Sequence, residues 1–561
     1  MTPRVFLPAI LSGLLLWPAF FPCDFGFVAF FALAPLATLV HAEGVTWWRR
    51  YLAAYLGGLT FFLIALNWIR VAHDMMALAW IGLTLMCALY WPLAIFLLRK
   101  IDRRWKPSLS ITFPVVWVAL EYFRAHFPTG FPALKLIGCY QPVGFAWYFL
   151  GHAMHGFVPF IQIADITGVY GVSFAIASAN GAIAEWLTRL NFLRKWLLGL
   201  PPDTATRGWT RAFRSTAIAT AAVAITTCYG FFSIIHPVYE KGPRVAAIQA
   251  DIPQDEKTLD QGKVFRSYDQ LARSAAPKAD LVVWPETCFP SGWYGLRNGA
   301  KWETAEADLQ SIARKIPARV KELMTAPDGW KTPMLLGTST YDWDGKKEIR
   351  GNSAVLIERE GHETGRYDKI HLVPFGEYVP FRETLPFMKK FTPYGDREYS
   401  CTPGEQFTRF PLMVGDRQYT FGVIICYEDS DPTMCRPYVR KLPDAEPVDF
   451  LVNISNDGWF LGTEQHEQHL AVCRFRAVET RRSIVRAVNM GISAIIDPDG
   501  RVIALPGDDW RTSKRIDGTV TDKVPISTAR SFYGRMGDWF PIECGLAVLV
   551  MWYLSHPRKR A

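Results

Sequence analysis

Seven apolar runs, each close to the ~20 residues that an α-helix needs to cross a bilayer, dominate the first 240 of 561 residues. They cover residues 5–21, 25–40, 51–68, 77–98, 111–127, 157–187 and 215–235, and a shorter eighth run covers 541–554. Few charges fall inside them. Several contain Pro or Gly, which membrane helices tolerate because neighbours can satisfy the freed backbone groups. Buried helices of a soluble protein would not need so many uncharged runs of this length. The sequence therefore predicts an α-helical membrane body of about eight transmembrane helices. Seven lie in a domain over residues 1–237, and the last lies in 531–561 with a basic tail.

Lys and Arg in the short loops give the orientation. With the N-terminus inside, the cytoplasmic segments hold 17 Lys and Arg and the outer short loops hold two, Arg70 and Lys135. Arg124, near the outer end of the fifth run, would make three. This predicts cytoplasmic N- and C-termini and an extracytoplasmic block between the seventh and eighth runs, periplasmic in a bacterium. The net charge of +9 has the same origin. Outside residues 241–540 there are 20 Lys+Arg against 10 Asp+Glu, and inside them 41 against 42. The basic excess thus belongs to membrane loops, and nucleic acid is not an expected partner. Arg4 and the first run look like a signal peptide, but further runs follow at once, so an uncleaved helix is expected. Cys23 follows an apolar run, but Pro22 stands where lipoprotein cleavage needs a small residue.

From Arg244 the texture changes. Short β-rich runs at 245–249, 280–284, 333–338, 352–357, 419–425, 449–455 and 493–497 are interspersed with amphipathic stretches at 263–276, 306–324 and 464–482. Strands and helices bounded by Gly, Pro and Asn turns predict one layered α/β domain over 238–530. Roughly 300 residues can bury a substantial core. Ten Cys in 561 residues are too sparse for a disulfide scaffold, although the compartment would permit bridges among Cys288, Cys401, Cys435 and Cys473.

Three points in this block carry chemistry. In Leu281-Val282-Val283-Trp284-Pro285-Glu286 a buried strand ends at Pro and a carboxylate follows. Such a carboxylate can act as a general base, or it can simply face solvent. In Lys369-Ile370-His371-Leu372-Val373-Pro374-Phe375-Gly376-Glu377 a cation and a carboxylate flank an irregular segment dense in apolar residues. In Ile424-Ile425-Cys426-Tyr427-Glu428 a thiol ends an apolar strand. It is an ordinary buried Cys unless a base and a positive group stand beside it. No His/Cys cluster has zinc-like spacing, so neither metal nor cofactor is expected.

The ordered set Trp-Pro-Glu, Lys-x-His-Leu-Val-Pro-Phe-Gly-Glu and Ile-Cys-Tyr-Glu resembles the nitrilase superfamily, whose triad is Glu, Lys and Cys in that order. The membrane frame narrows the resemblance to the apolipoprotein N-acyltransferase family. In that family a nitrilase-like domain lies between seven N-terminal helices and one C-terminal helix. Further matching stretches are Asn67-Trp68, Thr129-Gly130-Phe131-Pro132, Gln249-Ala250-Asp251-Ile252-Pro253-Gln254, Ile454-Ser455-Asn456-Asp457-Gly458-Trp459-Phe460, Gln468-His469, Arg474-Phe475-Arg476-Ala477-Val478-Glu479 and Asn489-Met490-Gly491-Ile492-Ser493. Departures are Thr287-Cys288 after Glu286, full loops at 291–302 and around Pro201-Pro202, and Asp255-Glu256-Lys257 where a Trp is expected.

The resemblance implies an extracytoplasmic αββα sandwich in a multi-pass protein of the bacterial inner membrane. It implies Glu286 as base, Lys369 as oxyanion stabiliser and Cys426 as nucleophile, with the Tyr427 N–H as a second oxyanion donor. Glu377 and Glu428 support the triad or only fix their own loops. Asn456, Trp459 and His469 are expected to line the substrate site, with a structural role left open for His469 and its neighbour His466. The acyl donor would be a membrane phospholipid and the acceptor a diacylglyceryl apolipoprotein, handled by a monomer. Aromatic loops at 289–293 and 381–391 are expected to form a mobile lid. A membrane-tethered amidase acting on a small amide is the alternative that keeps the same triad; a membrane scaffold with a relic domain would not need it.

Overall fold

Helices in the first part of the chain follow the apolar runs, but not one helix to each run. The computed structural model describes residues 4–130, 143–199, 206–235, 239–380, 387 and 399–555. The chain divides into two units: Met1–Arg70, Asp74–Pro237 and Met536–Ala561 form one, and Val71–His73 and Val238–Arg535 the other.

In the helical unit, two helices are long and apolar enough to cross a membrane, Met76–Trp105 and Trp209–Ile234. The pair Val158–Thr167 and Val169–Leu187, bent by 118°, makes a third if it counts as one span. Shorter apolar helices are Phe6–Ala19, Gly26–Val40 and Trp539–Leu554. On length and composition alone this gives two or three spans rather than the eight expected. The shortfall has local causes. The run 25–40 breaks near Leu33, whose N–H donates to the Asn180 side chain (2.7 Å), while Asn180 Nδ2 donates to the Ala29 carbonyl (2.7 Å). Neighbouring side chains thus satisfy a backbone that no longer satisfies itself. The sixth run bends at Gly168, whose φ of 67° suits a residue without a Cβ. Helices Phe6–Leu16 and Trp47–Ala65 touch through small residues: a Cβ on Gly57 would collide with the Ala9 carbonyl.

The second unit is built on strands β1 (Glu240–Gln249), β2 (Leu281–Val283), β3 (Phe289–Leu296), β4 (Met334–Trp343), β5 (Glu348–Ile357), β6 (Glu363–Asp368), β7 (Arg409–Val414), β8 (Arg417–Ile425), β9 (Phe450–Ser455), β10 (Ile484–Val488), β11 (Ala494–Ile496), β12 (Val502–Ala504) and β13 (Gly518–Ile526). They form two sheets, ordered β13-β1-β2-β4-β5-β6 with β3 on β4, and β12-β11-β10-β9-β8-β7. Strands β1, β2 and β4 run parallel, as do β8, β9 and β10. Alternation along β1 shows how the layers form. Val245 and Ala247 enter a core shared with Val423, Ile425, Val452 and Ile454 of the other sheet. Ala246 and Ile248 face the opposite way, toward Val264 and Tyr268 of helix Gln261–Ala275 and Val320 and Met324 of helix Ala307–Thr325. On the far side, Cys435 and Tyr438 of helix Pro432–Val439 and Leu470, Cys473 and Ala477 of helix Gln465–Thr480 cover the second sheet. The layers are therefore helix, sheet, sheet, helix.

The stretch 289–293, expected as a mobile lid, is instead part of β3. Phe289 pairs with Thr338 and Trp293 with Thr340, and both aromatic side chains are buried in the core. A register shift between them absorbs Pro290 and Gly292. Of the other expectations, Lys135, Phe131-Pro132 and Pro201-Pro202 lie outside the described residues, as does nearly all of 381–391. The described cysteines, Cys288, Cys401, Cys435 and Cys473 among them, are free thiols.

Candidate active site

Strand ends deliver the site. Glu286 follows β2, Lys369 follows β6, Cys426 follows β8, Asn456 follows β9 and Asn489 follows β10. These are carboxyl ends of strands, where sheets of this kind present side chains to ligands. The structure brings Glu286, Lys369 and Glu377 into direct contact. Lys369 Nζ lies 3.2 Å from Glu286 Oε1 and 2.9 Å from Glu377 Oε2. Asn352 Nδ2 donates to Glu286 Oε1 and to Glu377 Oε1, each at 2.7 Å. The Asn456 N–H donates to Glu286 Oε2 at 3.0 Å. Both oxygens of Glu286 are thus fixed, and its carboxylate is only 7% exposed.

Charge follows from this packing. Burial works against the Lys369 cation, but Glu286 and then Glu377 outweigh it and hold its pKa well above the usual lysine value. Lys369 is therefore held as the ammonium at neutral pH. Cys426 stands within electrostatic reach of both. Burial first, then the Glu286 carboxylate, push its thiol well above the ordinary range, and Lys369 only partly offsets them. At rest Cys426 is a neutral thiol, and a thiol in that state needs a base if it is to attack. Its backbone has φ 52°, a left-handed turn that swings the residue out of the line of β8.

Glu428 fixes that turn. Buried at 0% exposure, it accepts N–H bonds from Ile425 (2.7 Å), Ile370 (2.7 Å) and His371 (3.0 Å), and the Tyr367 hydroxyl at 2.9 Å. It therefore ties the segment after Lys369 to the turn at Cys426. Burial pushes its carboxyl up to about 7 against these donors. Tyr427 is half-buried, its ring edge-on to His371 at 5.4 Å. Trp459 is half-buried on the turn Asp457–Phe460.

Of the two roles open to His469, its packing is the structural one. Both ring nitrogens are taken by carboxylates: Nε2 by Asp429 Oδ1 (2.8 Å) and Nδ1 by Asp457 Oδ1 (2.9 Å). Arg486 closes the circuit, with Nη1 on Asp429 Oδ2 (2.9 Å) and Nη2 on Asp457 Oδ2 (3.0 Å). All four side chains are at most 2% exposed. An imidazole with a carboxylate on each nitrogen must donate twice and so is protonated. Burial and Arg486 oppose that charge, but Asp429 and Asp457 prevail and raise the pKa to about 9. The ring joins the turn after Cys426 to the turn after Asn456, and so braces the segments that carry Cys426 and the Glu286 partner Asn456.

Sequence reasoning missed Asn352, Asp429 and Arg486. Arg486 had a signal: it is the one charged residue in the otherwise apolar, buried run Ile484–Val488. Asn352 had none, since a polar residue in a strand is ordinary until the fold shows what it faces. Asn489 links the rear of the site: its side chain bonds Tyr268 (2.7 Å) and Asn456 (2.9 Å). Among the described residues no group of three or more His, Cys, Asp and Glu is arranged to hold a metal ion.

The family model "Apolipoprotein N-acyltransferase N-terminal domain" matches residues 12–182, and "Carbon-nitrogen hydrolase" matches 244–532. An apolipoprotein N-acyltransferase of Geobacter metallireducens is 32% identical over 99% of this chain and 96% of its own. The chain belongs to the apolipoprotein N-acyltransferase family. Other similar members come from Rhodopirellula baltica (27% identical, 98% of each chain) and Caulobacter vibrioides (28%, 96% of this chain and 91% of the other). Among solved structures, an amidase from Nesterenkonia sp. is 17% identical over 53% of this chain and 97% of its own, with a TM-score of 0.33. The full-length match to N-acyltransferases, helical part included, does not favour the soluble-amide alternative. It also identifies the second unit as nitrilase-like.

Proposed function

We propose that the protein transfers an acyl chain from a membrane phospholipid to the α-amino group of the diacylglyceryl-cysteine at an apolipoprotein N-terminus. The observation that carries this reading is the Glu286–Lys369 contact beside Cys426, at the strand ends of a chain that resembles N-acyltransferases from end to end. In the first half-reaction Cys426 Sγ attacks the ester carbonyl carbon while Glu286 takes the thiol proton. The negative oxygen is stabilised by Lys369 and the Tyr427 N–H. Collapse breaks the ester C–O bond, Glu286 returns the proton to the leaving lysophospholipid oxygen, and a thioester remains. In the second half, Glu286 accepts a proton from the attacking amine, the C–S bond breaks, and the proton passes to the departing Sγ. Glu377 and Asn352 keep Lys369 charged and Glu286 aimed. Asn456 orients Glu286 through its N–H, and Trp459 is left as the lining residue.

The wider frame belongs to the same proposal. The helical unit would cross the bacterial inner membrane eight times, with shorter and bent helices completing spans that length alone does not credit. The 238–530 domain would face the periplasm as a catalytic unit, with both termini cytoplasmic, and the protein would act as a monomer. Acyl chains resist leaving the bilayer by ~0.8 kcal/mol per CH₂, so the reacting domain has to work at the membrane surface.

The test is mass analysis of the Cys426 peptide after incubating the detergent-purified chain with labelled phospholipid. A hydroxylamine-labile acyl adduct on Cys426 is expected; folded protein with lipid present and no adduct would reject the mechanism. In the same assay Lys369→Ala should slow adduct formation by roughly 10²–10³-fold, the usual cost of losing a main oxyanion donor. Adduct formation at the wild-type rate would remove Lys369 from its role.

A further inference from the structure

Away from the strand ends, five cations converge on one cavity. Arg440, Lys441, Arg482, Arg530 and Arg535 line a space of about 270 Å³, near the low end of ligand-sized clefts. None of its lining residues is acidic. Residues 241–540 carry nearly equal numbers of Lys+Arg and Asp+Glu, 41 against 42, so the concentration is local. Lys441 is paired with Glu446 at 2.7 Å on the exposed rim. Among the described residues no carboxylate ion pair joins Arg440, Arg530 or Arg535, and Glu446 is within electrostatic reach of Arg530.

The walls are built rather than loose. Arg482 is 5% exposed; its Nε donates to the Val448 carbonyl (2.6 Å) and its Nη1 to the Ala529 carbonyl (2.8 Å). Ser531 Oγ donates to the Glu479 carbonyl (2.6 Å) and accepts the Gly534 N–H (2.9 Å). Arg436 Nη2 donates to the Arg535 carbonyl (2.7 Å). These bonds fix the backbone that carries Arg530 and Arg535. Burial and the nearby Arg530, opposed by Asp449, bring Arg482 down to about 10, which leaves it cationic at neutral pH.

The position in the chain identifies the occupant. Just past Arg535 the sequence enters the apolar helix Trp539–Leu554. Guanidinium groups a few residues ahead of a membrane-entering helix in the chain are suited to lipid phosphates, which they bind through paired N–H donors. Clustered cations also run against the loop asymmetry expected on the outer face, so orientation does not explain them.

We propose that this cavity binds the phosphate of an anionic phospholipid headgroup, separately from the acyl donor at Cys426. The proposal rests on the membrane reading of helix Trp539–Leu554, and its test uses binding alone, so it can fail without the acyl-transfer reading failing.

Native mass spectrometry of the full chain in detergent, titrated with phosphatidylglycerol or phosphatidylethanolamine, reads the site. The wild type should retain phosphatidylglycerol about 10-fold more tightly than phosphatidylethanolamine, and Arg440→Ala/Arg530→Ala/Arg535→Ala should erase that preference at an unchanged thermal midpoint. Arg530→Gln alone, at an exposed position, should reduce it by about 3-fold and serves if the triple variant does not fold. Equal retention of phosphatidylglycerol by wild type and variants overturns the proposal. Inorganic phosphate is the third arm: if it displaces phosphatidylglycerol as readily as the lipid displaces itself, the cavity is a free-anion site and the lipid assignment falls.

Discussion

Cys426→Ser should keep the fold and reduce acyl transfer by about 10⁴-fold or more, as expected when a nucleophile is removed from a cooperating set. The substitution exchanges one atom in a fixed turn, so packing hardly changes. Chemistry changes in two ways. A hydroxyl is far less acidic than a thiol, and a carboxylate base such as Glu286 already works against the raised thiol of Cys426. Any acyl group that did transfer would sit in an oxygen ester, a poor donor to an amine, and would resist hydroxylamine at neutral pH. Acylated serine should therefore appear slowly, if at all, and persist. A variant that turns over at even a tenth of the wild-type rate would show that the thiol is not the acyl carrier. Lipoprotein N-acylation by purified protein, followed with labelled donor, is the measurement.

The second large effect is on stability. Arg486→Met should destabilise the catalytic unit by about 3–5 kcal/mol, the cost of breaking a buried ion pair from one side. It leaves Asp429 and Asp457, both at most 1% exposed, sharing the single charge of His469. Thermal unfolding in detergent, read by the tryptophans of the second unit, is the check; a midpoint within a degree or two of wild type would mean that the ring carries no such weight. The same ring sets a pH dependence. His469 is raised to about 9 in the folded protein, against about 6.5 in an unfolded chain. Its contribution is complete below about pH 6.5 and is lost as the pH rises through about 9. The midpoint should fall across that window in the wild type, and the fall should flatten in His469→Gln. A midpoint that stays level to pH 10 would contradict a charged His469.

The sequence was most legible where a short motif coincides with a strand end. Glu286 and Cys426 each stand at or just past the end of an apolar run, so local pattern and site coincide there, whereas Lys369 follows the polar strand β6 and was legible only through the motif after it. It was least legible where contacts are made by residues far apart in the chain. Asn352 touches Glu286 and Glu377 from the middle of a sheet. The ring gathers Asp429, Asp457, His469 and Arg486 from four elements, and the role of His469 was consequently left open. Strand β3 was obscured by its own composition: Pro290, Gly292 and Gly295 read as a loop, yet a strand off the main path of a sheet can carry them at a register shift. In the helical unit, apolar length is easily counted, but breaks at Leu33 and Gly168 depend on partners such as Asn180 that hydropathy does not see.

Lys369 stands between two carboxylates, so with Cys426 neutral, as a thiol or as a thioester, the cluster has one carboxylate more than it has cations. A neutral ester is indifferent to that excess. An N-terminal amine, with a pKa of about 8, arrives mostly as an ammonium ion and is drawn to it. In the proposed reaction the donor would thus be collected by its solubility in lipid and the acceptor by its charge. Raising the salt concentration should weaken capture of the acceptor and leave loading of the thioester nearly untouched. The order of the reaction then has a physical marker: an ionic-strength dependence that begins only after the first product has left.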